Sequence, residues 1–222
     1  FFVPGHTAES FPEALQAILS AGHEVAHHGY GHEDPSGQSA SEERRSLERG
    51  LRVLERFMGR PPLGYRSPAF DYSENTLALL VEYGFLYDSS LFAGDYSPYH
   101  PRIGDEVTAD QPLRAGREVA LWEFPVAFHL DDWPHFTFDF ESAPCGLSAP
   151  SQVLEIWRGE FDYMVENEEG GVLTITMHPQ VIGRGHRMAL LEGFIQHVEG
   201  HGASVVRMGD VAQELSGEGD DE

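Results

Sequence analysis

The stretch Gly22-His23-Glu24-Val25-Ala26-His27-His28-Gly29-Tyr30-Gly31-His32 decides how this chain is read. Residues 23–27 read as a short strand that runs into a glycine-rich turn. Upstream, Ala14, Leu15, Ile18 and Leu19 give a helix its apolar face, Ser10 and Glu13 supply a capping signal, and Gly22 ends it. Past the strand, Gly29 and Gly31 let the backbone fold back tightly, so that the rings of His28 and His32 converge on one point. Neutral imidazole is the commonest protein ligand for a transition metal, so this pair is half of a candidate metal site. With 12 histidines in the chain, such a spacing also arises by chance, and its weight depends on the neighbouring segments.

Working outward, the same alternation repeats. Phe1–Val3 is an apolar strand. Leu47, Leu51, Leu54 and Met58 stripe a helix that Gly59 stops, and Pro61-Pro62 enforces a break before a short strand at residues 63–66. Ser73 starts a helix carrying Leu77, Leu80 and Val81, ended by Gly84, and residues 85–87 form the next strand. Strand and helix in turn argue for parallel βα units. Residues 92–117 show no period and read as a long loop, residues 118–128 as a strand, and residues 131–150 as a second long loop. A helix over 151–166, a buried strand over 172–177, a helix over 188–201, a strand over 204–207 and a helical turn over 211–215 complete the pattern. The expectation is an α/β fold of six or seven short strands, a (β/α) barrel or a doubly wound sheet, in one domain over 1–216 with an acidic tail at 217–222.

Composition narrows the class of function. The net charge is −23, and all 14 basic residues are arginine, a surface that repels nucleic acid and anionic membrane. No apolar run approaches the ~20 residues that span a bilayer. Cys145 stands alone, which excludes an intrachain disulfide and a cysteine-based zinc site and favours a reducing compartment. The chain opens on Phe1-Phe2-Val3-Pro4, which reads as the middle of a strand, so a natural N-terminus further upstream is expected.

The polar residues fall at strand ends. His28 follows one strand, Arg66 ends another, Asp131-Asp132-Trp133 follows a third, and His178 follows residues 172–177. In a parallel barrel the carboxyl ends of the strands share one face, and that face carries the chemistry. His178 titrates near neutrality and suits a general acid or base, or it caps the strand by hydrogen bonding. Asp131 or Asp132 orients that imidazole, or the two form a solvated turn. Arg66 steers a carboxylate or makes a surface ion pair. Trp133, Phe136 and Phe138 wall a pocket or fill a core. Arg184 and Arg187, with His186 between them, contact substrate or a neighbouring subunit, or belong to a plain helix-entry loop.

These segments together resemble the polysaccharide deacetylase superfamily, carbohydrate esterase family four, over nearly the whole chain. His28 to His32 matches its second motif, with Gly29 in place of the hydroxyl residue. Arg66-Ser67-Pro68-Ala69-Phe70 matches the third, Asp132-Trp133 the fourth, and residues 173–178 the fifth. Within the family, Leu130-Asp131-Asp132-Trp133-Pro134-His135-Phe136 and Met177-His178-Pro179-Gln180-Val181-Ile182-Gly183-Arg184 look like the branch that contains allantoinase-like ureide hydrolases, cyclic imide hydrolases and a bacterial peptidoglycan deacetylase homologue.

The resemblance implies an irregular (β/α) barrel of about seven strands, lacking its first strand here. It implies metal-dependent hydrolysis of a non-peptide C–N bond, with His28 and His32 holding a divalent ion, most simply zinc, that polarises the substrate carbonyl. His178 would protonate the leaving nitrogen, oriented by Asp132 or Asp131. Trp133, Phe136 and Arg184 would bind a glycan or small-molecule substrate. Arg66 would orient a basic aspartate from the family's first motif, which precedes the strand matching Phe1–Val3. A cytoplasmic homo-oligomer, a tetramer in that branch, is the expected assembly. Two other readings remain: a cyclic amide such as allantoin or a cyclic imide as substrate, and a non-catalytic binding protein.

Overall fold

The computed structural model describes residues 1–138 and 147–217. Cys145 and the tail beyond Gly217 lie outside the described residues. In chain order the elements are β1 (Phe2–Val3), α1 (Gly5–Ser10), α2 (Pro12–Ser20), β2 (Ala26–His27), α3 (Ala40–Met58), β3 (Gly64–Tyr65), α4 (Thr76–Glu82) and β4 (Tyr87–Asp88). Then follow β5 (Arg102–Ile103), β6 (Glu106–Thr108), β7 (Gln111–Arg114), β8 (Arg117–Glu118), β9 (Trp122–Glu123), α5 (Asp132–Phe136), α6 (Pro150–Asn167), α7 (Pro179–Ile182), α8 (Gly185–Gly200) and α9 (Met208–Leu215). Cα packing divides them into two compact units, one of residues 1–91, 99–124 and 207 onward, the other of residues 92–98 and 125–206.

The first unit is built on a five-stranded sheet in the order β1-β2-β3-β4-β9, every pair parallel. Val3 pairs with His27, His27 with Tyr65, Tyr65 with Asp88 and Asp88 with Glu123. This row marks the carboxyl ends of all five strands, so His28, Arg66 and Ser89 stand in one register just beyond it. Leu15, Ile18 and Leu19 of α2 pack on Val53 and Leu54 of α3 and on Val25, while Leu47 packs with Leu77 and Leu80 of α4 around Tyr65 and Phe85. Of the stripe read for α3, Leu47 and Leu54 are buried and Leu51 and Met58 partly so. Its start is a capping box, with Ser39 and Glu42 reciprocally bonded, and Gly59 closes it at φ 72°.

The second unit is helical. Val153, Trp157, Phe161 and Met164 of α6 pack on Leu190, Phe194 and Val198 of α8, with Val181, Ile182, Leu130 and Phe136 completing the core. The strand expected over 172–177 is not formed; only Thr176 bridges in parallel to Asp131. The strand expected over 204–207 is also absent, and Arg207 instead precedes α9. Both segments carry β-branched residues, and propensity without ladder partners does not make a strand.

Three further corrections concern local readings. Ser10 does not cap α2; it ends α1, and α2 starts at Pro12 with no side-chain cap. The loop read over 92–117 contains two antiparallel pairs, β5 with β8 and β6 with β7. The long loop after residue 131 begins with α5, capped by the Asp131 side chain on the Trp133 N–H. The α/β class and the parallel order of the sheet agree with the sequence reading. Among the described residues no helix is long and apolar enough to cross a membrane.

Candidate active site

In the first unit, the turn after β2 is shaped by its glycines and by Glu33. Gly29 adopts φ 71°, and a side chain there would press on Glu33 Oε2 at 3.3 Å and Pro68 Cγ at 3.4 Å. Glu33 accepts the Gly31 N–H at 2.9 Å and the Ser46 hydroxyl at 2.8 Å, tying the turn to α3. His32 itself sits at φ 65°, an uncommon conformation for a side-chain-bearing residue that functional turns often hold. The result brings the rings of His28 and His32 to 4.9 Å between centroids, edge to face.

His28 Nδ1 donates to the Arg66 carbonyl oxygen at 2.7 Å. That bond fixes the tautomer and leaves Nε2 with its lone pair. Desolvation of the ring pushes His28 down to about 3, so it is neutral at physiological pH. Beneath it, His27 is fully buried, accepts the Gly29 N–H on Nδ1 and donates from Nε2 to Leu47 O at 3.0 Å. Burial likewise pushes His27 down to about 4. Gly50 of α3 allows this approach: a Cβ there would stand 2.9 Å from His27 Cε1 and 2.8 Å from the Gly29 carbonyl, and nearer still to His27 Nε2.

Arg66 is buried, at 8% exposure. Its Nε donates to Ser89 O at 2.8 Å and its NH2 to Ser89 Oγ at 2.7 Å, and its guanidinium lies 4.3 Å from the Phe2 ring and 5.8 Å from the Phe70 ring. Its backbone carbonyl is what grips His28. This loop is anchored by a pair of buried acids that sequence reasoning missed. Asp88 and Glu123 are register partners at the ends of β4 and β9, each fully buried. Asp88 accepts the Tyr72 hydroxyl at 2.9 Å and the Ser90 hydroxyl at 2.8 Å, and Ser90 Oγ in turn accepts the Ser67 N–H. Glu123 Oε1 accepts the Ser90 and Leu91 N–H groups, whereas Oε2 meets no donor. Burial, then the charge of Asp88, push Glu123 well above the ordinary carboxyl range. A proton on Glu123 turns the contact of two acids into a hydrogen bond to Asp88.

In the second unit, the bridge at Thr176 draws two distant segments together. The Asp132 N–H donates to Thr176 O at 3.1 Å and the Thr176 N–H to Leu130 O at 2.8 Å. Asp132, fully buried, then accepts His178 Nδ1–H at 2.7 Å and the His178 backbone N–H at 3.1 Å on each oxygen. Asp131 Oδ1 stands further off, 3.6 Å from His178 Nδ1, and accepts the Trp133 N–H at 2.7 Å as the cap of α5. Trp133 is 47% exposed, with its ring 5.2 Å from that of His178.

Phe136 is a core residue at 4% exposure. Arg187 covers it at 4.5 Å and donates to Val181 O and Phe136 O, so Arg187 holds structure. Arg184 is exposed at the start of α8.

Comparison with known proteins gives this geometry its class. The polysaccharide deacetylase family model matches residues 1–87. A peptidoglycan deacetylase of Helicobacter pylori is 33% identical, over 97% of this chain and 78% of its own length. A Mycobacterium smegmatis structure described as a candidate polysaccharide deacetylase superposes with a TM-score of 0.82 at 37% identity, over 98% of this chain and 71% of that one. The Puue allantoinase structure superposes with a TM-score of 0.77 at 26% identity, over 97% of this chain and 66% of that one. The chain belongs to the polysaccharide deacetylase family. It is a hydrolase of non-peptide carbon–nitrogen bonds on that family's α/β fold.

The chemistry of the donor set fits a metal. Two imidazoles, one of them held neutral with its tautomer fixed, are borderline ligands suited to zinc or a similar cation.

Proposed function

We propose that this protein removes acetyl groups from N-acetylated amino sugars of peptidoglycan or a related polysaccharide, using zinc held by His28 and His32. The observation that carries the reading is the imidazole pair of His28 and His32, with His28 gripped by the Arg66 carbonyl, in a chain 33% identical to a protein named as a peptidoglycan deacetylase. When bound, the cation polarises the substrate carbonyl. Arg66 is a positioning residue that acts through its backbone oxygen on His28. His178 is the general acid: with Nδ1 committed to Asp132, proton delivery to the leaving nitrogen falls to Nε2. As the amide C–N bond breaks, the carbonyl carbon gains the oxygen of water and the nitrogen gains that proton. Asp131 supports Asp132 through the cap of α5, and Trp133 shields the imidazole from water. Arg184 is placed on the substrate side by its motif match alone. The general base is assigned to the aspartate motif that the family carries ahead of the strand matching β1. Cytoplasmic location and a homo-oligomer are further parts of this proposal, drawn from the resemblance.

A second reading, hydrolysis of a cyclic amide, is supported by the likeness to the allantoinase structure. The test is the parent protein, including the first motif, incubated with peptidoglycan and chitin oligosaccharides for acetate release, and with allantoin and a cyclic imide for ring opening. Acetate release lost on His28→Ala supports the first reading. Ring opening without acetate release replaces it with the second.

A further inference from the structure

Outside these residues, the second unit gathers another set of metal-competent groups. His197 lies in the last turn of α8, and His201 directly follows that helix, so the two imidazoles are one helical turn apart on one face. Asp162 of α6 meets them. Its Oδ1 is 2.5 Å from His197 Nε2 and 4.0 Å from His201 Nε2, and one ligand atom from each residue lies within 4.8 Å of the others. The two rings are 4.3 Å apart between centroids, and Phe161 packs edge-on against both, at 5.6 and 5.7 Å. His201 Nδ1–H donates to the His197 carbonyl at 2.8 Å, which fixes the tautomer with the Nε2 lone pair toward the carboxylate.

An ordinary ion pair accounts for His197 and Asp162. It does not account for the second imidazole, locked in its metal-competent tautomer beside the first. In tetrahedral zinc the ligand atoms sit about 3.3 Å apart, as bond lengths of about 2.0–2.1 Å require. The two distances to Asp162 Oδ1 bracket that value, and Asp162 and His201 are half-exposed and able to adjust.

We propose that Asp162, His197 and His201 form a second metal site, separate in its residues from His28 and His32, that takes zinc or nickel with water in the fourth position and clips the end of α8 to α6. The net charge of −23 favours capture of a dication.

The test counts zinc on the metal-stripped chain carrying His28→Ala and His32→Ala, against a chromophoric chelator, with cobalt as a spectroscopic substitute. One equivalent is expected to remain. Adding His201→Gln, which spares the Asp162–His197 pair, should weaken it at least tenfold, and Asp162→Asn should do the same. Both should abolish the zinc-induced rise in Tm and the tetrahedral cobalt absorption. Circular dichroism checks folding, and either variant alone suffices if the other misfolds. No zinc bound by the His28→Ala, His32→Ala chain, or affinity unchanged in the two added variants, overturns the proposal.

Discussion

His178 Nδ1 lies 2.7 Å from Asp132 Oδ1, and the same carboxylate receives the His178 backbone N–H on both oxygens. The acid therefore fixes the tautomer and orientation of the ring as well as its position. A neutral amide there would accept on one atom only and would present an NH2 to the others. The Asp132→Asn variant should fold, because the bridge between Thr176 and the 130–132 segment is made by backbone. It should lose about 10²–10⁴-fold in kcat with KM little changed, the range for a positioned general acid. A KM rise with kcat preserved would show that Asp132 serves substrate binding and not His178.

Removing the imidazole pair tests the other half. The His28→Ala and His32→Ala variants are each expected to weaken zinc at the first site at least tenfold and to abolish deacetylation at micromolar zinc. Millimolar zinc should restore more of the activity of His32→Ala than of His28→Ala, whose ring also ties the turn to Arg66. Activity equal to the parent's in both variants, unchanged by a chelator, would remove the metal from the mechanism.

The Gly50→Ala variant probes how α3 supports this turn. Its methyl group would stand 2.8 Å from the Gly29 carbonyl, and closer still to the His27 ring. Neither neighbour can yield cheaply, since His27 is buried and hydrogen-bonded at both nitrogens. Overpacking of this kind costs about 1–3 kcal/mol, and a lowered urea midpoint with an unchanged m-value would register it. A midpoint within error of the parent would mean that α3 and β2 part freely, contrary to the packing described.

How much of this the sequence disclosed depends on the range of the interactions. The helices α3 and α6 were legible because a period near 3.6 and the glycine that follows α3 are local signals. His28 and Arg66 were legible as residues just past strand ends, whereas Asp132 and His178 follow no formed strand and were marked by their motifs alone. What Arg66 does was not, because its guanidinium bonds Ser89 and its carbonyl, which carries no sequence signal, holds His28. Residues 172–177 looked like a strand by composition, yet only Thr176 finds a partner. The hairpin strands β6 and β7 are exposed throughout and so carry no alternation to read. Neither Asp88 nor Glu123 stands out in the sequence, and Glu123 falls inside the segment read as a strand over 118–128. Only the parallel register that sets them side by side reveals a buried acid pair.

That pair gives the protein a pH signature. In the unfolded chain Glu123 ionises near 4.5, whereas in the fold burial and Asp88 raise its value well above that. The native state therefore holds a proton that the unfolded state has released, over the window from 4.5 up to the raised value. Stability from this group is complete below 4.5 and is lost as pH climbs through that window, by up to about 1.4 kcal/mol per pH unit. Glutamine mimics the protonated acid: its oxygen can keep the Ser90 and Leu91 N–H bonds while its NH2 donates to Asp88. The Glu123→Gln variant should thus flatten the fall in stability above pH 4.5, so that its advantage over the parent grows toward neutral pH, with zinc affinity and kcat retained. The Asp88→Asn variant should instead lose activity, because an amide cannot accept from Tyr72, Ser90 and Glu123 together. Urea midpoints of the three proteins between pH 5 and 8 decide the matter. If Glu123→Gln and the parent run parallel across that range, Glu123 is not the group that holds the proton.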